Sequence, residues 1–521
     1  MKRNYWFGSI ITILSLIFVL TFEHEPDDPD ARVIVEWNEL IISTASEVDR
    51  FQTLHGNRAV PLMHLAVHDA LNAIVPVYEQ YALKEFHPEA HPVAAASQAA
   101  HDVMAAIFPG HSGSAAELHQ KWMDRVPENS AREEGVRVGR ISAQAILEDR
   151  ENSGYDSSGE FIPGNDPGEY RITPPFDEPI GAGWPDTEPL SMTSPDQFRP
   201  GPPPALNSET YARDFDEVKR LGRKDSEERT DDQTHAGYWF AEYPTVSFPD
   251  FARSYVMEND VHPWRAARLF ALLAIDNFDG LISVFDAKYE YTFWRPYTAI
   301  RNADRDGNPA TQPDPNWEPE MTTAPHPDYP AALSTLCAGG AEILKDFFGT
   351  SDFRYMRKAG SVPEGTPAAR SYDSIGEAVE DCENSRIYNG YHFRTGLDVG
   401  SEMGRERAKH LLKNHLTRQP DTDYPELTSG ESESTDWFSY LRLGAVEYAH
   451  VGDAGEPFPA GANPANYFSD EEAPRYLKIS EEDGWEPVPD ADGNIAFTAL
   501  HVWVHHNNPD GVFAPFNPTI D

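Results

Sequence analysis

The chain has 521 residues, with 42 Lys and Arg against 86 Asp and Glu, a formal charge of −44. A chain this long buries a sizeable core, and so large an excess of carboxylates argues against nucleic acid as a partner, because the phosphates would be repelled. Its two cysteines, Cys337 and Cys382, exclude a disulfide scaffold; one bridge between them could form, but free, buried thiols are the expected state.

In chain order, Lys2 and Arg3 precede an apolar run from Tyr5 through Phe22, the charged and hydrophobic regions of a signal segment. The expectation is export to the periplasm or exterior, or a membrane anchor through residues 5–22 if no cleavage occurs. From Val35 to Ile74 apolar residues recur at helical spacing, with Pro61 beginning or kinking a second helix. His64 and His68 stand four apart on it, the spacing of a helical metal pair, but in an alanine-rich core helix a structural role is favoured. Ala94–Ile107 and Val136–Leu147 continue the helical pattern. Residues 151–204 are rich in Gly, Pro, Ser and Asp and carry Tyr155, Phe161, Tyr170, Phe176, Trp184 and Phe198; a loop with so many aromatics is expected to pack over a surface as a lid. Helices are expected at Ser208–Leu221, at Asp231–Glu242 and in a long segment opened by Pro263. A second Pro-rich loop, Asp304–Tyr329, leads through Pro330 into another helix, and a further one runs from His392 toward Asn414. Beyond Gln419 the chain turns acidic and Pro-rich, with a short helix near Trp437–Tyr448 and a terminal His501-Val-Trp503-Val-His505 that could form a minor metal site on a strand. The fold is therefore all-α: one large globular unit on two helical bundles with long Pro/Gly-rich loops. Its parts are residues 32–150, the loop 151–204, a bundle at 205–416 and an extension at 417–521.

Two stretches carry the chemistry. Lys288 and Arg295-Pro296 lie seven apart, so on a continuing helix both cations would share a face. Ser385-Arg386, Gly390 and His392 follow, with Asn389-Gly390 reading as a turn that could aim Arg386 and His392 inward. Lys288 also falls on the buried stripe of its helix, where a lysine is costly without an anion beside it or an ion pair with Asp286 or Glu290. Three cations around one imidazole suit a compact, multiply charged oxyanion such as phosphate or vanadate.

Lys, six residues and Arg-Pro, then Ser-Arg, three residues, Gly, one residue and His, resemble the first and third parts of the signature shared by vanadium-dependent haloperoxidases, bacterial acid phosphatases and type 2 phosphatidic acid phosphatases. Val35-Glu-Trp-Asn38, Leu65-Ala-Val-His-Asp-Ala70, Gly201-Pro-Pro-Pro-Ala-Leu206 and Tyr211-Ala-Arg-Asp-Phe215 extend the likeness to secreted bacterial haloperoxidase-like proteins over residues 32 to 416. The middle part departs: where the family has Pro-Ser-Gly-His, this chain has Pro330-Ala331-Ala332-Leu333, followed by Ser334-Thr335. The family's aspartate four residues after the histidine falls on Gly396, and Asp398 lies on a different helical face.

The resemblance implies that His392 is the axial ligand of vanadate, or the nucleophile of a phosphatase, with Lys288, Arg295, Arg386 and the Ala332 amide holding the oxygens. Phosphate can occupy the same site. Halide and hydrogen peroxide would be the substrates in the first reading and a phosphomonoester in the second. Both mechanisms use a histidine where Leu333 stands, so turnover is expected to be weak or altered, with His326 the nearest imidazole that could substitute. A third reading is an anion-binding protein without turnover, or non-redox chemistry on a small organic molecule in a pocket made more apolar by Ala331, Ala332 and Leu333.

Overall fold

The computed structural model describes residues 30–419 apart from 242–243, 260 and 359–368, together with four short strands between residues 441 and 505. The signal segment lies outside the described residues; among those described, no helix is long and apolar enough to cross a membrane. The first bundle comprises α1 (Arg32–Asp49), α2 (Leu54–Ile74), α3 (Pro92–Ile107), α4 (Ser112–Met123) and α5 (Ser130–Asp149). Helix α2 starts earlier than Pro61 suggests: Thr53 accepts the amide of His55 as its N-cap, and Pro61 sits inside the helix. His64 stacks on Phe270 and lies 2.8 Å from the Asn38 side chain, whereas His68 meets the carbonyl of Glu79 at 3.0 Å. The two imidazoles serve separate contacts within the core.

The second bundle follows α6 (Glu209–Leu221), α7 (Asp231–Trp239) and α8 (Pro244–Glu258). It is built on α9 (Pro263–Tyr291), the short α10 (Pro296–Arg301), α11 (Ala332–Phe348), α12 (Ile375–Tyr388) and α13 (Arg394–Asn414). Helix α9 is buried along almost its whole length and packs on α2 of the first bundle and on α11 of the second. A helix buried on nearly every face has to lie at the centre. Helices α11 and α13 approach closely because glycines face the contact: a Cβ on Gly404 would stand 2.0 Å from the carbonyl oxygen of Thr335.

Residues 151–204 do pack rather than float. The amides of Leu190 and Ser191 bond the buried carboxylate of Asp279 on α9 at 2.7 Å, Trp184 lies against Phe285, and Arg199 forms a forked pair with Asp286 at 2.7 Å. The segment thus covers the C-terminal half of α9.

Three expectations are corrected. Helix α9 stops at Tyr291, where Thr292 takes a left-handed conformation with φ 43°, so Lys288 and Arg295 are not on one continuous helix face. Cys337 and Cys382 are joined in a disulfide; α11 and α12 lie side by side, a proximity that spacing along the chain does not reveal. In place of a helix near Trp437–Tyr448 the described residues form strands, Leu441–Leu443 paired antiparallel with Val446–His450, as suits the alternation of Val446, Tyr448 and His450. The hairpin of Tyr355–Lys358 with Ala369–Tyr372 was also not anticipated. Two further strands, Trp485–Pro487 and Leu500–His505, pair with each other, and the latter pairs with Val446–His450; the side chains of His501, Trp503 and His505 lie outside the described residues.

Candidate functional site

Lys288 projects from the last turn of α9 and is fully buried. Its ammonium donates to the carbonyls of Pro327 at 2.7 Å and Asp328 at 2.8 Å, while Asp286 and Glu290 are taken by Arg199. An ion pair within the helix is therefore not what accommodates this lysine. Burial, reinforced by Arg295, drives its pKa well below the ordinary lysine value.

Arg295 caps the N-terminus of α10 in extended conformation, after the turn at Thr292 has redirected the chain. Its guanidinium is 1% exposed and connects three segments. Nε donates to the carbonyl of His326 at 2.8 Å and Nη1 to that of Tyr391 at 2.9 Å. Nη1 is also 3.1 Å from Nε2 of His392, and Nη2 is 2.9 Å from Nδ1 of His326. One planar group thus lies between two imidazoles, a use of the guanidinium fork that lysine could not reproduce.

Arg386 and His392 are brought in by the break between α12 and α13. Asn389 ends α12 and bonds the carbonyl of Gly237 through its side chain, and Gly390 adopts φ +75°, where a Cβ would meet the backbone of Gly222. Only glycine suits that turn. Arg386 donates to the carbonyl of Phe240 at 3.0 Å and stacks over Tyr391 at 4.9 Å. His392 is almost fully buried; burial first, then Arg295, Lys288, His326 and Arg386, hold its pKa well below the usual imidazole range. The ring is neutral, as a ligand or nucleophile must be. His326 is held neutral in the same way, by burial and then by Arg295 and Lys288.

Asp328, which the motif spacing did not single out, also belongs here. Its Oδ1 lies 3.0 Å from Nδ1 of His392 and the residue is 1% exposed. Burial raises its carboxyl to about 7, against the pull of Arg295 and Lys288. Its place in Pro327-Asp328-Tyr329-Pro330, directly ahead of the altered middle motif, was the available signal; nothing in helical periodicity marks a loop residue.

The middle motif begins α11. Ala331 is its N-cap, without a side-chain cap, and the Ala331 amide donates to the carbonyl of Gly396 at 2.9 Å. Ala332 opens the helix, and Leu333 packs at the edge of the main apolar core. The aliphatic side chain cannot move a proton.

The donor set suits a vanadate- or phosphate-like anion. Lys288, Arg295 and Arg386 are within 5% of complete burial, and Asp328 is the carboxylate against them at this centre. Excess positive charge in a dry interior is costly unless an anion offsets it.

Residues 268–422 match the sequence family described as the VCPO second helical-bundle domain. Among solved structures, a bacterial vanadium-dependent iodoperoxidase is similar, with TM-score 0.63 and 21% identity over 75% of this chain and 98% of that one. A bacterial vanadium-dependent chloroperoxidase is similar in its holo form, with TM-score 0.56 and 17% identity over 68% of this chain and 90% of that one. Its apo form gives 0.57 and 18% over 69% and 92%. No curated protein sequence matches the chain.

Proposed function

We propose that the chain, whose residues 268–422 match the VCPO second helical-bundle domain and whose fold is similar to bacterial vanadium-dependent haloperoxidases, is an exported member of the vanadium haloperoxidase superfamily that binds vanadate, or phosphate in its place, among Lys288, Arg295, Arg386 and His392. The carrying observation is the concentration of three buried basic side chains, Lys288, Arg295 and Arg386, around the imidazole of His392. Nε2 of His392 would face the bound anion, Lys288 and the two guanidiniums would neutralise its oxygens, and the amide of Ala332 would supply a further donor. Vanadate held there would supply Lewis acidity toward hydrogen peroxide for oxidation of halide without a change in the metal's redox state.

Proton movement is the weaker half of the site. His326 shares the guanidinium of Arg295 with His392, so an anion held by Arg295 lies close to both rings. In the place of the absent middle-motif histidine, His326 takes the acid–base part at reduced efficiency. Calorimetric titration of the purified full chain with orthovanadate tests the reading. Binding that is competed by phosphate and lost in Arg295→Ala and Arg386→Ala is expected, with slow bromide oxidation that falls further in His326→Ala. A chain that binds neither vanadate nor phosphate would sink it.

A further inference from the structure

The parts of the candidate anion site come from different elements, and different kinds of bond join them. Hydrogen bonds tie Lys288 and Arg295 to the loop before α11, through the carbonyls of His326, Pro327 and Asp328, and tie Arg295 to the turn before α13 through the carbonyl of Tyr391. The start of α11 meets the start of α13 where the Ala331 amide donates to the Gly396 carbonyl at 2.9 Å. Helix α12, which carries Arg386, is joined to α11 covalently, by Cys337–Cys382.

Cys382 lies four residues before Arg386 on α12, and Cys337 four residues after Leu333 on α11. Residues four apart share a helix face, so the bond sits one turn from Arg386 on one helix and one turn from the altered middle motif on the other. Next to it the helices pack thinly: a cleft of about 250 Å³ opens there, lined by Ala338, Ala341 and Glu342 of α11 and by Val379, Glu380 and Glu383 of α12. Alanine side chains bury little apolar area. A disulfide keeps its two Cα atoms within about 7 Å, a limit that two thiols do not impose.

We propose that the Cys337–Cys382 bond is a redox-sensitive clamp on the anion site: it holds the end of α12, and with it Arg386, against the start of α11, and its reduction weakens oxyanion binding. The proposal rests on the anion-binding reading above. Two thiol–disulfide exchanges with a small dithiol break the S–S bond; the dithiol closes to its own disulfide, and Cys337 and Cys382 take up the two electrons and two protons as thiols. The sulfurs are buried, Cys337 being 3% and Cys382 0% exposed, so the reductant reaches them when α11 and α12 open locally. The chain then binds the anion tightly in an oxidising compartment and weakly in a reducing one, where such bonds do not persist.

The experiment is calorimetric titration of the full chain with inorganic phosphate, chosen because dithiols reduce vanadate. Reduced wild type and Cys337→Ser/Cys382→Ser should bind phosphate at least about tenfold more weakly than the oxidised wild type, the usual scale for losing support behind a liganding group. Reoxidation should restore the wild type, and reductant should leave the double variant unchanged. Ile146→Ala, which removes core packing from α5 in the first bundle, separates clamping from stability: it should lower the unfolding midpoint and keep the phosphate affinity. Equal affinity of the oxidised and reduced wild type, or an equal loss in Ile146→Ala, overturns the proposal. Hydrogen exchange is followed in parallel, and reduction should speed it at residues 332–336 and 383–388 while leaving α3 unchanged. If no form binds phosphate, the anion reading fails, and exchange still decides the clamp: rates unaltered by reduction overturn it.

Discussion

Leu333, where the family resemblance implies a proton-transferring histidine, is only partly buried at the edge of the core, one residue into α11. Because it is not enclosed, an imidazole can replace it without opening a cavity. The triple change Ala331→Ser, Ala332→Gly and Leu333→His should raise peroxidase or phosphatase turnover at least about tenfold, somewhat below the usual contribution of an acid–base group. Steady-state rates with bromide and peroxide, and with a phosphomonoester, measure it; no gain would mean that His326 already performs the step. The histidines of α2 make a different single-residue case. Burial depresses His64 to about 3 and His68 to about 4, so in the unfolded chain they bind protons that the fold refuses. Stability from these groups is present above about pH 6.5 and is lost as the pH falls toward 4, by about 1.4 kcal/mol per pH unit for each. Asp69, raised to about 6 by burial, works in the opposite direction below that pH. The comparison is therefore differential: urea unfolding of His64→Gln/His68→Gln between pH 4.5 and 6.5 should show a shallower loss of stability on acidification than the wild type. Equal slopes would contradict the assignment.

Among elements, the pairing of α11 with α12 has the clearest consequence. The Cys337–Cys382 bond closes a loop of 45 residues and joins the helix that opens with Ala332 to the one that carries Arg386. A closure of that length restricts the unfolded chain, and removing it should cost about 2–4 kcal/mol. Cys337→Ser/Cys382→Ser should unfold at lower urea concentration than the oxidised wild type. Reductant should lower the wild-type midpoint and leave that of the variant unchanged; a reductant-insensitive wild type would show that the thiols are not bonded in the purified protein. The lid-like segment 151–204 is legible at this scale too, because its aromatics require a surface, and the surface is α9. Which part of α9 it covers could not be read from composition; the capping of Asp279 by Leu190 and Ser191 decides it.

Across the whole molecule, a formal charge of −44 is set against a buried basic centre at Lys288, Arg295 and Arg386. On the proposed reading the net charge would repel a dianion on approach, whereas the basic centre would attract it over distances shorter than the Debye length. Screening therefore acts mainly on the approach. Stopped-flow association of vanadate should become faster as NaCl rises from 10 to about 150 mM, the range over which the Debye length falls from about 30 to 8 Å, with a smaller change in the dissociation rate. Faster association at low salt would place the anion at an exposed basic patch instead.

Sequence alone determined the helical class, the burial of Lys288 and the three cations with His392, because helical periodicity and short fixed spacings are local properties of a chain. It also exposed Leu333 where the family resemblance implies a histidine, since such a departure is visible without coordinates. Tertiary structure alone decided how the cations converge: the left-handed turn at Thr292 separates Lys288 and Arg295 onto different elements, and Arg295 reaches His392 across 97 residues. The Cys337–Cys382 bond and the approach of Asp328 to His392 belong to the same category. Each depends on which loop lies against which helix end, a distance set by the packing of α9, α11 and α13 rather than by any interval along the chain.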